Sequence, residues 1–345
     1  FLVMNSGQRV LYFSRDLSTH DQRFLTSLAE TDYEVTFLRL ENKLNHIDLN
    51  SLPEKIEILP PLHPRNDFRF SSLLKDLWEI KSIINQVNPD IIHAGPIQTC
   101  AFLAALTGFR NLVSMSWGSD ILVDSEKNLP YKLITTYTLN RTAYLLGDCN
   151  AVINKAIQFG FPKERIVTFP WGIDLLKFQP GENSELRNQL GWDDKFIILS
   201  LRSWEKIYGV EMVVNAFYEA VQQRPDLRLL LLGTGSLKAE IEKIIVEKDL
   251  KNLVYLGGVI DQQNLPDYYH GADLYISASY SDGSSVSLME ALGSGLPVLV
   301  SDIPGNKEWI DHGYNGWLFK SGSVEDLTQS LLGIFEGRMK LSNIR

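Results

Sequence analysis

The chain has 345 residues, 44% of them hydrophobic, and a formal net charge of −9. This size and apolar content are typical of two domains with separate cores, and no apolar run reaches the ~18 residues that a membrane-spanning helix needs. An acidic balance without a basic run argues against nucleic acid as a partner.

The first half of the chain has the alternating pattern of strands and helices. Runs of β-branched and aromatic residues predict strands at 9–14, 34–40, 90–95, 112–117 and 166–171. Apolar residues at helical spacing predict a helix over 71–87, with one stripe formed by Leu73, Leu74, Leu77, Trp78, Ile80, Ile84 and Val87. We expect this stripe to pack on the sheet.

The second half repeats the pattern. Strands are predicted at 196–201, 227–233, 252–258, 272–279 and 297–302, and helices near 209–223, 236–248, 285–294 and 323–336. Runs that are apolar at nearly every position indicate parallel strands covered by helices on both faces. Two doubly wound α/β units are therefore predicted, 1–175 and 176–345, with the boundary in the Pro- and Gly-rich stretch 170–185.

Ligand-binding residues are expected in the turns that follow the strands, because open α/β sheets bind ligands beyond the carboxyl ends of their strands. The turn after 196–201 carries Arg202 and Lys206, and two cations there suit a diphosphate. Two alternatives stay open, an ion pair of Arg202 with an acid and a plain surface position for Lys206. At "GTGS" (233–236), close approach of a ligand to Gly233 and an ordinary turn are equally compatible with the sequence.

The stretch "SDGSSVSLMEALGSGLPVLVSD" (281–302) puts Asp282 before a predicted helix and Glu290 within it. The first amides of that helix, near 284–287, can receive an anion. Ionised carboxylates accept hydrogen bonds, so hydroxyl groups are the expected partners of the two acids. Eight helical residues span ~12 Å, the scale of a diphosphate with a polyol at each end, which indicates a nucleotide sugar. The alternatives are an N-cap or turn role for Asp282 and a solvated position for Glu290.

Several short motifs resemble one known family. "DGSSVSLMEALGSGLPVLVSDIPGNKEWI" resembles the E-x7-E signature of the retaining family 4 glycosyltransferases. Further matches, in family order, lie at "DIIHAGP" (90–96), "WGSDI" (117–121), "FPWGIDLLKFQP" (169–180), "LLLLGTGSLKAEIEK" (229–243), "LVYLGGV" (253–259) and "ADLYISASYSDG" (272–283). The resemblance covers most of the chain. It implies the α/β GT-B fold, in which two Rossmann-like doubly wound domains face each other across a cleft, with the acceptor on the N-terminal domain and the nucleotide sugar on the C-terminal one.

The resemblance also implies residue roles. Asp282 would contact the donor sugar, and Arg202 and Lys206 would stabilise the diphosphate leaving group, which makes these three the expected catalytic residues. Glu290 would hold the ribose hydroxyls. The other expected donor-binding residues are Gly233, Gly283, Ser285 and Val286, the last two through their amides, and Val259 and Ile260 near the base.

The chain departs from the family pattern at several positions. Asp282 stands where the family usually has Glu, Tyr208 stands where a Lys usually precedes a Gly, and Trp117 stands where a His approaches the donor sugar. The Gly-rich turn after the first strand is replaced by "SRDLSTHDQRF" (14–24), where His20 begins a helix. Helix capping by Ser18, Thr19 or Asp21 is one interpretation of this segment, and contact of His20 with the acceptor, or proton transfer by His20, is the other. The acceptor-side residues are then His20, Trp117 and Asp120.

The predicted function is transfer of a hexosyl unit, with retention, from a nucleotide diphosphate sugar to an acceptor hydroxyl in cell-envelope polysaccharide, glycolipid or glycoconjugate synthesis. UDP is the expected nucleotide, and the acceptor is a sugar, a lipid-linked molecule or a small molecule. Because the chain has no Asp-x-Asp tripeptide, no metal or cofactor is expected. A donor-binding scaffold without activity and a nucleotide-sugar epimerase are the alternatives.

The expected location is the cytoplasm, since Cys100 and Cys149 lack metal-ligand spacing and indicate a reducing compartment. Peripheral contact with the inner face of a membrane is a further alternative. It rests on residues 63–81, which mix basic side chains with Phe68, Phe70 and Trp78 as an interfacial surface would.

Overall fold

The computed structural model describes residues 7–42, 48–63, 70–182 and 184–337. The chain divides into two compact units, Phe1–Pro170 and Trp171–Arg345. The division falls at the start of the stretch 170–185, where the sequence predicts a boundary. Within the described ranges, no helix is both long enough and apolar enough to cross a bilayer.

The first unit is built on one parallel sheet. Its described strands are β1 (Arg9–Ser14), β2 (Glu34–Arg39), β3 (Glu57–Ile58), β4 (Ile91–Ala94), β5 (Leu112–Met115), β6 (Tyr144–Gly147) and β7 (Ile166–Thr168). They pair in the order β3-β2-β1-β4-β5-β6-β7, so the direction of strand addition reverses between β1 and β4.

Helices cover this sheet. They are α1 (Thr19–Ala29), α2 (Leu73–Val87), α3 (Phe102–Leu106), α4 (Ser119–Leu122), α5 (Leu129–Arg141) and α6 (Asn150–Gln158). Short 3₁₀ helices lie at Leu49–Ser51, Phe70–Ser72, Asp124–Glu126 and Lys163–Arg165, and a π-helical turn lies at Ile97–Ala101.

The second unit has the same architecture. Its described strands are β8 (Phe196–Leu201), β9 (Leu227–Leu232), β10 (Val254–Gly258), β11 (Leu274–Ser277), β12 (Val298–Ser301) and β13 (Trp317–Phe319). The helices are α7 (Ser184–Leu190), α8 (Val210–Val221), α9 (Lys238–Glu247), α10 (Leu265–Gly271), α11 (Val286–Gly293), α12 (Pro304–Lys307) and α13 (Val324–Phe335), with a 3₁₀ helix at Lys206–Tyr208. The parallel order is β10-β9-β8-β11-β12-β13, which reverses between β8 and β11.

The central strands of the second unit are buried on both faces. Ile198 and Leu229 pack in one apolar cluster with α8 and α13, whereas their neighbours Ile197 and Leu230 pack in another cluster with α11. Because successive side chains of a strand point to opposite faces, a strand between two helical layers must be apolar at every position. This confirms the α/β class that the unbroken apolar runs predict.

All ten strands predicted from the sequence are present, and three short ones were missed. The missed strands are β3, β6 and β13, which have two to four residues each. Such short runs give no measurable period. They extend the sheets at or near their edges.

Helix α2 turns only part of the predicted stripe to the sheet, with Ile80 buried and Leu73 and Ile84 packed partly on the same apolar cluster. Asp76 and Ile80 are its buried residues, whereas Leu74 and Trp78 are 83% and 72% exposed. The buried carboxylate of Asp76 lies 3.0 Å from His63 Nε2 and accepts a hydrogen bond of 2.7 Å from Ser72. The prediction that the whole stripe packs on the sheet is therefore wrong for Leu74 and Trp78, and the packed face includes the buried carboxylate of Asp76. Residues 64–69 of the alternative membrane patch lie outside the described residues.

His93 of β4 is a buried imidazole in the first unit. It is 8% exposed, and its ring lies edge-on to Tyr12 at 4.9 Å and to Phe24 at 5.8 Å. Burial lowers the pKa of His93 from 6.5 to about 4. The unfolded chain therefore binds a proton at this residue where the folded chain does not, and the free energy of unfolding falls as the pH drops from 6.5 toward 4.

We expect His93 to remove about 2 kcal/mol from the free energy of unfolding between pH 7 and pH 5. His93→Phe keeps an aromatic ring and removes the titration, so it should lose less stability over this range, measured by urea denaturation. Phe37→Leu, a substitution in the same unit at a buried aromatic residue that carries no titrating group, serves as the control and should keep the native pH dependence. The same pH dependence in native chain and His93→Phe would contradict this assignment.

Candidate functional site

The predicted donor residues lie at the switch point of the second sheet. Arg202 follows β8 and Asp282 follows β11, the two adjacent strands between which the strand order reverses. At such a point the loops after neighbouring strands leave in opposite directions and open a crevice beyond the carboxyl ends. The topology therefore brings together two turns that are eighty residues apart in sequence.

Arg202 is the centre of this group. Its Nη2 lies 2.7 Å from Oδ2 of Asp282, and its Nη1 donates hydrogen bonds of 2.7 Å to Ser285 Oγ and 3.3 Å to Ser287 Oγ. The guanidinium carbon lies 4.1 Å from the centre of the Tyr208 ring, within the range of a cation–π contact. The alternative that Arg202 pairs with an acid is confirmed, and the acid, Asp282, is another of the three expected catalytic residues.

The charge of Arg202 is maintained by its neighbours. Burial is the largest single effect and alone would lower the pKa of this guanidinium, but the carboxylate of Asp282 together with Tyr208 and Tyr275 outweighs it and holds the pKa above its usual value. The side chains of Arg202 and Asp282 are only 11% and 16% exposed. The pair is thus a largely desolvated cation and anion beyond the carboxyl ends of β8 and β11. Electrostatic interactions at such a desolvated position are stronger than in water.

Ser285 is the N-cap of α11. Its Oγ accepts the amide hydrogen of Leu288 at 3.4 Å, and its backbone is extended, as in most N-caps. Asp282 instead accepts from the amide of Gly283 at 3.1 Å, so the alternative that Asp282 caps the helix is wrong. The amides of Val286 and Ser287, at the first turn, belong to the set that has no acceptor within a helix.

Glu290 is buried on α11, at 3% exposure. The hydroxyl of Tyr269 donates to Glu290 Oε2 at 2.9 Å and lies 3.2 Å from the carbonyl oxygen of Ser287. A second buried tyrosine, Tyr275, lies with its hydroxyl 2.7 Å from Ser287 Oγ, which also accepts from Arg202. The alternative that Glu290 is a solvated helix residue is therefore wrong, and the two acids belong to one hydrogen-bonded group.

Glycines allow the surrounding loops to pack closely. A Cβ at Gly305, in α12, would lie 2.3 Å from the carbonyl oxygen of Gly283 and 2.6 Å from that of Asp282. A Cβ at Gly233, whose φ is +106°, would lie 2.3 Å from the carbonyl oxygen of Arg202. Gly233 is thus required by packing of the chain on itself. This favours the ordinary-turn interpretation of "GTGS".

The other expected donor-side residues lie around this group. Lys206 is exposed at the first position of its 3₁₀ helix, and no ion pair of Lys206 occurs among the residues that the structure describes. Val259 is 50% exposed directly after β10, and Ile260 packs partly on the core. These positions at the carboxyl edge suit a nucleotide, but the individual roles of the three stay predictions.

The expected acceptor-side residues lie in the first unit. His20 and Trp117 stack with ring centroids 5.2 Å apart, after the carboxyl ends of β1 and β5. Asp120 is 4% exposed and accepts from Ser116 Oγ at 2.6 Å and from the amide of Ile97 at 2.9 Å. The carboxylate of Asp120 thus links the loop after β4 to the loop after β5. Burial raises the pKa of Asp120.

The capping interpretation of the segment after β1 is confirmed. Ser18 is the N-cap of α1 and forms a capping box with Asp21, whose other oxygen accepts from Tyr12 at 3.0 Å. Capping does not exclude a role for His20, because its ring points to Trp117 rather than to the cap.

Two tyrosines of the donor-side group, Tyr269 and Tyr275, were missed by the sequence, because nothing in their spacing separates them from core residues. Their hydroxyls are recognised as part of the site only when the fold places them on Glu290 and Ser287. Tyr208 was noted from the sequence only as a departure from the family pattern, and the structure places its ring on Arg202.

Comparison with known proteins gives two family matches that together cover most of the chain. Residues 9–148 match the family model "Glycosyl transferase 4-like", and residues 182–345 match "Glycosyl transferases group 1". Among curated proteins, the amylovoran biosynthesis glycosyltransferase AmsK of Erwinia amylovora is 31% identical over 190 residues, 53% of this chain and 45% of AmsK. The N-acetyl-alpha-D-glucosaminyl L-malate synthase of Bacillus anthracis is 23% identical over 90% of this chain and 81% of its own length. The match to AmsK thus spans less than half of that relative.

Solved structures show the same fold. Anabaena Alr3699/HepE, crystallised with UDP and glucose, superimposes with a TM-score of 0.80 at 18% identity over 98% of this chain and 92% of its own. Both sequence units and their α/β architecture are therefore accounted for by one family. The chain belongs to the family 4-like glycosyltransferases of the GT-B fold.

Proposed function

We propose that this chain transfers a hexosyl unit, with retention and without a metal ion, from a nucleoside diphosphate sugar to an acceptor hydroxyl in cell-envelope polysaccharide, glycolipid or glycoconjugate synthesis. The observation that carries the proposal is the largely desolvated pair of Arg202 and Asp282 at the switch point of the second sheet, with the buried Glu290 in the same hydrogen-bonded group. The family supports it, as do the named relatives, since AmsK is a glycosyltransferase of amylovoran biosynthesis and HepE was crystallised with UDP-glucose.

Arg202 would bind the diphosphate. A guanidinium donates up to five hydrogen bonds in one plane, so Arg202 can turn a donor from Asp282 to a phosphate oxygen while Ser285 still accepts another. The amides of Ser285 and Val286, with Lys206, would add positive potential at the start of α11. In the transfer step the bond between the anomeric carbon and the phosphate oxygen breaks, and the electron pair stays on the phosphate that Arg202 stabilises.

The acids would bind the hydroxylated ends of the donor. Asp282, released in part from Arg202, would accept from a hydroxyl of the sugar, and buried Glu290 from the ribose. Gly283 would let the backbone approach the donor, and Val259 and Ile260 would lie near a base, UDP being the expected nucleotide. The acceptor oxygen then bonds to the anomeric carbon and passes its proton to the leaving phosphate oxygen, so no separate base is needed.

The acceptor would contact the first unit. We assign this role to the stacked rings of His20 and Trp117, because partly exposed aromatic faces bind the apolar face of a sugar or an apolar chain. Asp120 would act indirectly, because its hydrogen bonds with Ser116 and Ile97 hold the loop that carries Trp117.

Arg202→Ala should lower kcat/KM by about 100-fold or more, because one donor to the developing phosphate charge is lost. Arg187→Ala is a matched control in the same unit, since Arg187 pairs with Asp273 at 2.7 Å before β11, at the opposite end of that strand. The control should change stability but keep activity. Product formation from the radiolabelled donor measures the activity of both variants. Native activity in Arg202→Ala would refute the assignment.

A thermal-shift panel of UDP-, GDP- and ADP-sugars tests the donor class. A ligand that binds only the folded chain raises its melting temperature, by an amount that grows with the ratio of ligand concentration to Kd. We expect one nucleotide, UDP, to raise the melting temperature with and without added EDTA. A chain that no nucleotide stabilises, or that requires a divalent metal, would contradict the proposal.

Peripheral membrane contact is a further part of the proposal. It is supported by Leu74 and Trp78, which stand one turn apart and mostly exposed on α2, next to the exposed Lys75. Apolar side chains flanked by a cation are typical of helices that lie in a lipid interface. This surface would bring the site to a lipid-linked acceptor.

Trp78→Glu should reduce co-sedimentation with vesicles that contain anionic lipid by more than tenfold, because an exposed aromatic ring that would enter the lipid interface is replaced by a charge. Leu176→Glu is the control, since Leu176 is 88% exposed on the second unit. Absence of vesicle binding by the native chain, or an equal loss in the control, would remove membrane contact from the proposal.

A further inference from the structure

We infer that Tyr269 is a positioning residue that fixes the carboxylate of Glu290 for recognition of the nucleotide ribose, and so sets the preference of the site for ribose over deoxyribose. The inference rests on the proposed function, because it assumes that Glu290 meets the ribose. It assigns a role to a residue that none of the family motifs quoted above contains.

The contact is direct and buried. The hydroxyl of Tyr269 donates to Glu290 Oε2 at 2.9 Å, and both residues are 3% exposed or less. Burial, and next the charge of Glu290, raise the pKa of Tyr269 well above 10, so the phenol keeps its proton and remains a donor at neutral pH.

The carboxylate needs such a partner. The last torsion of a glutamate side chain is broad and roughly two-fold, so an unrestrained carboxyl group rotates easily. A diol is recognised best when both carboxylate oxygens are aimed at once. A donor that occupies Oε2 from inside the protein fixes the plane of the group before the nucleotide arrives, and pre-organisation of this kind reduces the cost of binding.

Tyr269 is itself held firmly. It lies on α10, its ring is 1% exposed, and it packs edge-to-face on Phe178 with centroids 5.7 Å apart. Removal of the hydroxyl alone leaves that aromatic packing in place. Tyr269→Phe thus separates the hydrogen bond from the support that the ring gives to the core.

Tyr275 offers a matched control. It is equally buried in the same apolar cluster, 6.4 Å from the Tyr269 ring, but its hydroxyl lies on Ser287 Oγ, a partner of Arg202. Tyr275→Phe therefore removes a buried phenolic hydroxyl that is hydrogen-bonded to Ser287, a partner of Arg202, and leaves the contact between Tyr269 and Glu290 in place.

The test compares UDP with 2′-deoxy-UDP by isothermal titration calorimetry on the full chain. We expect the native chain to bind UDP at least tenfold more tightly, since the carboxylate loses a charge-assisted hydrogen bond to the deoxy compound. Tyr269→Phe should lower this ratio several-fold, because Glu290 remains but its carboxylate is less well aimed. Tyr275→Phe should keep the native ratio even where it weakens the binding of both nucleotides.

Each outcome decides one question. A native ratio in folded Tyr269→Phe overturns the inference, as does a native chain that binds both nucleotides equally. A native chain that binds neither UDP, GDP nor ADP contradicts the proposed function instead. Should Tyr269→Phe fail to fold, 3,5-difluorotyrosine at position 269 keeps the ring and changes the donor strength, and an unchanged ratio there would likewise overturn the inference.

Discussion

The donor-side group depends on one buried cation. Arg202 carries its charge at 11% side-chain exposure, and such a charge costs several kcal/mol unless it is paired and hydrogen-bonded. Asp282 supplies the opposite charge and Ser285 a hydroxyl acceptor. The contacts that position Asp282 and Ser285 therefore also position Arg202. They include the N-cap of α11, which is Ser285 itself, and the close packing of Gly305 on the carbonyl groups of residues 282 and 283.

The fold supplies this arrangement at low cost. The strand order places β8 beside β11, so the loops that carry Arg202 and Asp282 follow adjacent strands and lie side by side. The rings of Tyr269 and Tyr275 pack in the apolar core, and their hydroxyls belong to the polar group. The hydroxyl of Tyr275 is hydrogen-bonded to Ser287 Oγ, and that of Tyr269 donates to Glu290. Apolar packing thus fixes polar atoms, which is how a site keeps its geometry before a ligand binds.

The sequence predicted the fold class, ten strands and the loops of the site, because unbroken apolar runs and turn residues are local signals. It could not predict that Arg202 and Asp282 form a pair, since their separation is set by strand order. It also could not predict that Asp76 is buried on α2, because hydrophobic periodicity does not register the polar contacts of this carboxylate with His63 and Ser72. Tyr269 was likewise indistinguishable from a core residue, because its hydrogen bond to Glu290 leaves no trace in the spacing of apolar residues.

The central claim is that Arg202 binds the diphosphate and Glu290 the ribose of one nucleotide. The crystal structure of the chain with a bound nucleoside diphosphate measures this most directly. The account predicts phosphate oxygens within about 3 Å of the Arg202 guanidinium and ribose hydroxyls within the same distance of Glu290. A nucleotide bound elsewhere, with Arg202 still on Asp282 and Glu290 away from the ligand, would contradict it.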